Sequence, residues 1–129
     1  MSADFTSLPP DLPAPVDDGA ADHLTGLALP AGPSLPSTLG GTATLAELAK
    51  GRLVAYVYPR TGVPGEPLPP GWDEIPGARG CTPQSCAFRD AEQELAQHEA
   101  AVVGISAQSP AEQREFGQRE QIPFPLLSE

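Results

Sequence analysis

The sequence predicts an α/β fold, a mixed central sheet flanked by helices. Three observations carry this. Apolar runs of strand length occur at residues 53–58, 100–105 and 122–127. Two capping boxes, Thr44-Leu-Ala-Glu47 and Ser109-Pro-Ala-Glu112, open helices between and before those runs. From Thr44 the two signals alternate in the order α-β-loop-α-β-α-β. Strands alternating with helices imply a parallel or mixed sheet with helices on its faces.

Residues 1–40 read as a Pro/Gly-rich, turn-rich extension with a short hairpin at Gly40-Gly41. Leu24, Leu27, Leu29, Leu35 and Leu39 are more apolar side chains than a solvated tail needs, and disorder is the competing reading. Residues 41–129 form the expected domain. Its first helix starts at the Thr44 box and closes at Lys50-Gly51, a cation followed by a C′ glycine. Residues 53–58 (LVAYVY) are β-branched and aromatic without charge, which predicts a central strand buried on both faces. Residues 59–80 are too rich in proline and glycine for helix or regular strand, and form an inserted loop. Thr82 as N-cap and Pro83 at the first helical position predict the next helix. Phe88, Ala91, Leu95 and His98 recur along one side of it. Residues 100–105 (AAVVGI) are the second buried strand. The Ser109 box opens a helix to about Gln121, and residues 122–127 (IPFPLL) are the third strand.

Composition narrows the function. The 129 residues suit one domain, and 17 prolines with 13 glycines exclude a helical bundle. No apolar run approaches the ~18 residues of a membrane span. The start, MSADFTSLPPDLP, lacks a basic segment followed by an apolar stretch, so no signal peptide and a cytoplasmic location are expected. Seven basic against 17 acidic residues give a net charge of −10, which repels polyanions. Neither nucleic acid nor membrane is an expected partner. The chain runs into its last residue straight after an apolar stretch, so it is expected to be the N-terminal part of a longer protein.

The chemistry lies in Gly80-Cys-Thr-Pro-Gln-Ser-Cys86. Two thiols without His or Asp at ligand spacing do not make a structural zinc site. One reading is a pair of buried, inert cysteines on a helix. The other is redox. Cys81 at the first turn faces unpaired backbone N–H groups and the positive helix end, which lowers a thiol pKa. Arg79, two residues earlier, either adds positive charge there or is a solvated loop residue. Cys86, a turn further in, lacks that field. Cys81 is therefore the candidate nucleophile and Cys86 the resolving partner. Five residues along a helix rise about 7.5 Å, whereas a disulfide needs Cα atoms about 4.4–6.8 Å apart. The pair can bond only if the first turn unwinds.

Four stretches are similar to those of a known family: Val54-Ala-Tyr-Val-Tyr-Pro59, Gly80-Cys-Thr-Pro-Gln-Ser-Cys-Ala-Phe-Arg-Asp90, Val103-Gly-Ile-Ser106 and Pro123-Phe-Pro-Leu-Leu-Ser128. Together, from about Leu8 onward, the chain resembles peroxiredoxins of the bacterioferritin-comigratory-protein or Q type, AhpC/TSA-like thiol peroxidases. The resemblance implies a thioredoxin-like fold, with Cys81 as peroxidatic and Cys86 as resolving cysteine. It implies reduction of hydrogen peroxide and organic hydroperoxides, recycling by thioredoxin or a similar dithiol, no cofactor or metal, and a monomer or weak dimer. Pro59 matches the family proline after the strand. The family spaces that proline, a threonine and the cysteine as Pro-x3-Thr-x2-Cys, and here Ala78 occupies the threonine position. Thr61, folded back, is the candidate to supply the hydroxyl; Thr82 and Arg79 complete the candidate support. The family's active-site arginine, final strands and final helix come from later segments, outside this chain.

Other residues carry weaker readings. Arg89 is expected to pair with a carboxylate. Trp72 is either a lid or packing for the insertion. Tyr56 and Tyr58 are core or pocket wall, and His23 and His98 have no catalytic part. The competing functions are a thiol-disulfide carrier or redox sensor without efficient peroxide turnover, and a non-catalytic fragment.

Overall fold

A computed structural model describes residues 10–129. The first nine residues of the extension, including Leu8 where the family similarity begins, lie outside the described residues. β1 (Leu35–Pro36) and β2 (Thr42–Ala43) form an antiparallel hairpin. It turns through Gly40 at φ 106° and Gly41 at φ 64°, left-handed conformations that glycine adopts without strain. α1 (Leu45–Leu48) follows, then β3 (Arg52–Tyr58), α2 (Cys81–Gln97), β4 (Ala100–Ser106), α3 (Pro110–Arg119) and β5 (Leu126–Ser128). No helix of the described residues is long and apolar enough to cross a membrane.

Both capping boxes are made. Thr44 and Ser109 each accept from the backbone N–H three residues on, and Glu47 and Glu112 reach back. Pro110 stands at the start of α3, where its missing N–H costs nothing. α1 ends at Leu48, before Lys50-Gly51, with Ala49 as its C-cap.

The main sheet has the order β3-β4-β5, all parallel. An antiparallel bridge from Ser37 to Leu127 continues it past β5. Thr38 N–H donates to the Leu126 carbonyl and Leu126 N–H to Thr38 Oγ1, each at 3.0 Å. The hairpin is thereby tied to the domain.

The expectation that residues 53–58 form a central strand buried on both faces is corrected. β4 is central and β3 lies at an edge of the three strands. Tyr56 and Tyr58 are buried, but Val57 between them is 69% exposed. A charge-free apolar run does not report which faces will be covered. The third strand is also shorter than residues 122–127. Pro123 and Pro125 cannot donate ladder hydrogen bonds, so pairing starts at Leu126. The insertion at residues 59–80 is not wholly irregular: Trp72–Glu74 and Ala78–Gly80 each make one 3₁₀ turn.

The core packs on one sheet face. Tyr56, Tyr58, Val102 and Leu126 of the strands meet Cys81 of α2 and Phe116 of α3. Phe88 and Leu95 of α2 pack against this cluster, whereas His98 lies past the helix end and is exposed. Gly104 leaves the space that Tyr56 and Leu126 fill. A Cβ there would lie 2.7 Å from Leu126 Cδ2 and 2.8 Å from the Tyr56 hydroxyl oxygen.

Candidate functional site

α2 begins two residues earlier than expected, at Cys81, with Gly80 as its N-cap. Thr82 is not the cap. The 3₁₀ turn of Ala78–Gly80 winds directly into α2, so the chain is already helical at Gly80 (φ −74°, ψ −14°) and no side chain caps the end. Thr82 is buried within the first turn. Cys81 is the first helical residue, and both cysteines are free and buried on the same helix.

Cys81 lies against a groove of about 660 Å³. Tyr58 and Pro59 from the end of β3, Pro76 from the insertion and Leu12 from the extension share its walls. A separate small cavity brings Cys81 together with Arg60, Trp72 and Arg79. Trp72 also donates its ring N–H to the Ala78 carbonyl at 3.0 Å. The insertion is thus packed on the approach to the helix start.

The expectation of a lowered Cys81 pKa is corrected. Burial pushes the thiol up, and hydrogen bonding from the backbone N–H groups of Arg60 and of Cys81 itself opposes that rise. The helix start does supply donors, but desolvation of a buried thiolate outweighs them. Arg79 does not enter as the charge beside the thiol. Its Nε and Nη2 meet the two carboxylate oxygens of Asp73 at 2.5 and 2.7 Å, which holds the Asp73 carboxyl below its ordinary range. Thr61 is 1% exposed, with its hydroxyl and its N–H donating to Gln108 Oε1 at 3.2 and 3.1 Å. Pro59 is exposed on the groove wall.

Burial also pushes the Cys86 thiol up; Arg89 works against this and the charge and hydrogen bond of Glu120 reinforce it. Cys86 Sγ lies 3.7 Å from Glu120 Oε2. Arg89 pairs with Asp90 at 2.9 Å, as its position on the helix suggested, and also reaches Glu120. Ser85, between the cysteines, is buried and accepts from the Tyr56 hydroxyl at 3.0 Å. Among the described residues no group of three or more His, Cys, Asp or Glu is placed to hold a metal ion.

Sequence reading missed Arg60 and Glu120. Arg60 lies two residues past the end of β3, at the carboxyl end of a parallel strand, where such sheets deliver residues to a site. Glu120 had a subtler signal, a carboxylate at the C-terminal end of a helix, where the dipole disfavours it.

A parallel sheet with a buried cysteine at the first turn of a packed helix defines a thioredoxin-fold thiol protein. Residues 75–129 match the AhpC/TSA family. A chloroplastic peroxiredoxin Q of Populus jackii is 30% identical over 126 residues, 83% of this chain and 52% of its own length. A cysteine-to-serine variant of Xanthomonas campestris peroxiredoxin Q superposes with a TM-score of 0.62 at 27% identity, over 80% of this chain and 58% of that one. Peroxidoxin BcpB of Mycobacterium tuberculosis gives 0.55 at 29% identity, over 74% and 53%. The chain is thus similar to Q-type peroxiredoxins, and its residues 75–129 to the AhpC/TSA family. It spans about half the length of these relatives.

Proposed function

We propose that the chain carries the two-cysteine centre of a thiol peroxidase. The observation that supports this best is the placement of two free cysteines on one helix, Cys81 at its first residue beside a groove and Cys86 buried behind it. Cys81 thiolate attacks a peroxide oxygen. An S–O bond forms, the O–O bond breaks, sulfur is oxidised to sulfenic acid, and the departing alkoxide or hydroxide takes a proton. The first turns of α2 unwind. Cys86 sulfur then displaces hydroxide from Cys81, giving an intramolecular disulfide and water. Thioredoxin or a similar dithiol reduces the disulfide by exchange, becoming oxidised itself. Hydrogen peroxide and organic hydroperoxides are the substrates, and a reducing cytoplasmic compartment supplies the dithiol.

Because burial raises the Cys81 pKa, the attacking thiolate is a minor species at neutral pH. The rate of sulfenic acid formation therefore rises with pH through the neutral range.

The second reading is a thiol-disulfide carrier or redox sensor. It is favoured by the raised Cys81 pKa and by the engagement of the Thr61 hydroxyl with Gln108. Stopped-flow measurement of peroxide consumption separates the two. The peroxidase reading requires wild type to react much faster than free cysteine, Cys81→Ser to abolish consumption, and Cys86→Ser to stop after one turnover. A wild-type rate equal to that of free cysteine leaves the carrier or sensor.

A further inference from the structure

Cys86 is held by a carboxylate from a different helix. Its thiol donates to Glu120 Oε2 at 3.7 Å. Glu120 is the C-cap of α3, and Gln121 after it turns through φ 55°. Two arginines offset the misplaced negative charge. Arg89 donates to the Glu120 main-chain carbonyl at 2.7 Å and reaches Oε2 at 3.5 Å. Arg119 lies 3.5 Å from Oε1, and its Nη2 donates to the Gly62 carbonyl in the loop beside Cys81. The Glu120 side chain is only 18% exposed, so water competes weakly for these contacts.

We propose that Glu120 is a positioning residue that restrains Cys86 as a protonated, helix-bound thiol and so slows its attack on oxidised Cys81. This rests on the two-cysteine reading above and adds what sets the rate of its second step. That step needs a Cys86 thiolate and an unwound α2, and Glu120 opposes both. Its charge and acceptor oxygen favour the S–H form, and the hydrogen bond anchors Cys86 to the end of α3. When Cys86 leaves, Glu120 keeps its arginines, so release costs one hydrogen bond and leaves the α2–α3 contact standing. The S–S bond forms as the Cys81 S–O bond breaks, and the thiol proton leaves with hydroxide as water. Of the other groups facing Cys86, Arg89 favours the thiolate; Asp90 on α2 and Tyr56 on β3 do not. The consequence is a longer-lived sulfenic acid, open to a second thiol or a second peroxide.

The test starts from the Cys81→Ser chain, which requires no peroxide chemistry. Alkylation of Cys86 by iodoacetamide is followed against pH with and without E120Q. E120Q should move the Cys86 titration down and speed alkylation several-fold at neutral pH. An unchanged or upward titration overturns the proposal. With both cysteines present, E120Q should shorten the sulfenic acid lifetime several-fold after one equivalent of peroxide. A longer lifetime overturns it, because Glu120 would then be helping Cys86 to lose its proton. If no sulfenic acid forms in wild type, the peroxidase reading fails while the alkylation arm still decides the role of Glu120. If E120Q does not fold, E120D in the Cys81→Ser chain decides: its shorter side chain draws the carboxylate away from Cys86, so the titration should fall, and an unchanged or upward titration overturns the restraint.

Discussion

Tyr56 donates its hydroxyl to Ser85 and stacks on Phe88, with ring centroids 4.8 Å apart. Both contacts grip α2 between and just beyond the cysteines. Burial and the lost hydroxyl partner make Tyr56→Phe informative, since it leaves Ser85 buried without that donor. It should lower stability by about 1–3 kcal/mol, read by urea denaturation, and speed disulfide formation by loosening this part of α2. At this scale the cysteines were legible because their spacing alone constrains the chemistry. The choice between the two readings of Arg79 was not legible because its partner, Asp73, sits across a 3₁₀ turn within the insertion, and no periodic pattern announces such a turn. The Cys81 pKa was misread because helix-end donors can be placed from sequence, whereas the depth of burial depends on the groove walls around them.

Helix starts were legible at the scale of elements because caps are local. The Thr44 and Ser109 boxes need only four residues each. The Cys81 helix start was missed by two residues because the preceding 3₁₀ turn feeds into it, and nothing in Thr82-Pro83 reveals that. Burial of the second strand, β4, was legible, but that of β3 was not, since its coverage depends on neighbours distant in sequence. Gly104 illustrates the same dependence. It reads as an ordinary residue in an apolar run, yet parallel register places it between Tyr56 and Leu126. Gly104→Ala should cost about 1–3 kcal/mol through overpacking, measured as a lower urea midpoint with an unchanged slope. Because Tyr56 must yield, the variant should also weaken the Ser85 contact. A neutral Gly104→Ala would mean that the aromatic stack repacks freely.

At the scale of the whole molecule, the described residues join three sheet strands, two helices on one face, and a hairpin fastened to the far edge at Ser37 and Leu127. That fastening spans most of the chain, so no local pattern foretold it. The molecule also buries several groups that resist ionisation. Burial raises the pKa of Cys81, Cys86, Tyr56 and Tyr58. The thiols ionise near 9.0 when unperturbed and at higher pH when folded. Above that pH the unfolded chain releases protons that the folded chain keeps, so stability should fall as pH rises. Urea midpoints from neutral to alkaline pH would show the loss, and the double variant Cys81→Ser, Cys86→Ser should reduce it. The central claim is that these two cysteines, apart on a regular helix, unite when its first turns open. Peptide mass spectrometry with hydrogen exchange, after one equivalent of peroxide, tests this directly. The expected result is a Cys81–Cys86 cross-link within one chain, with lost amide protection from Thr82 to Cys86. Oxidation at Cys86 with Cys81 untouched, or a cross-link formed with α2 still fully protected, would contradict it.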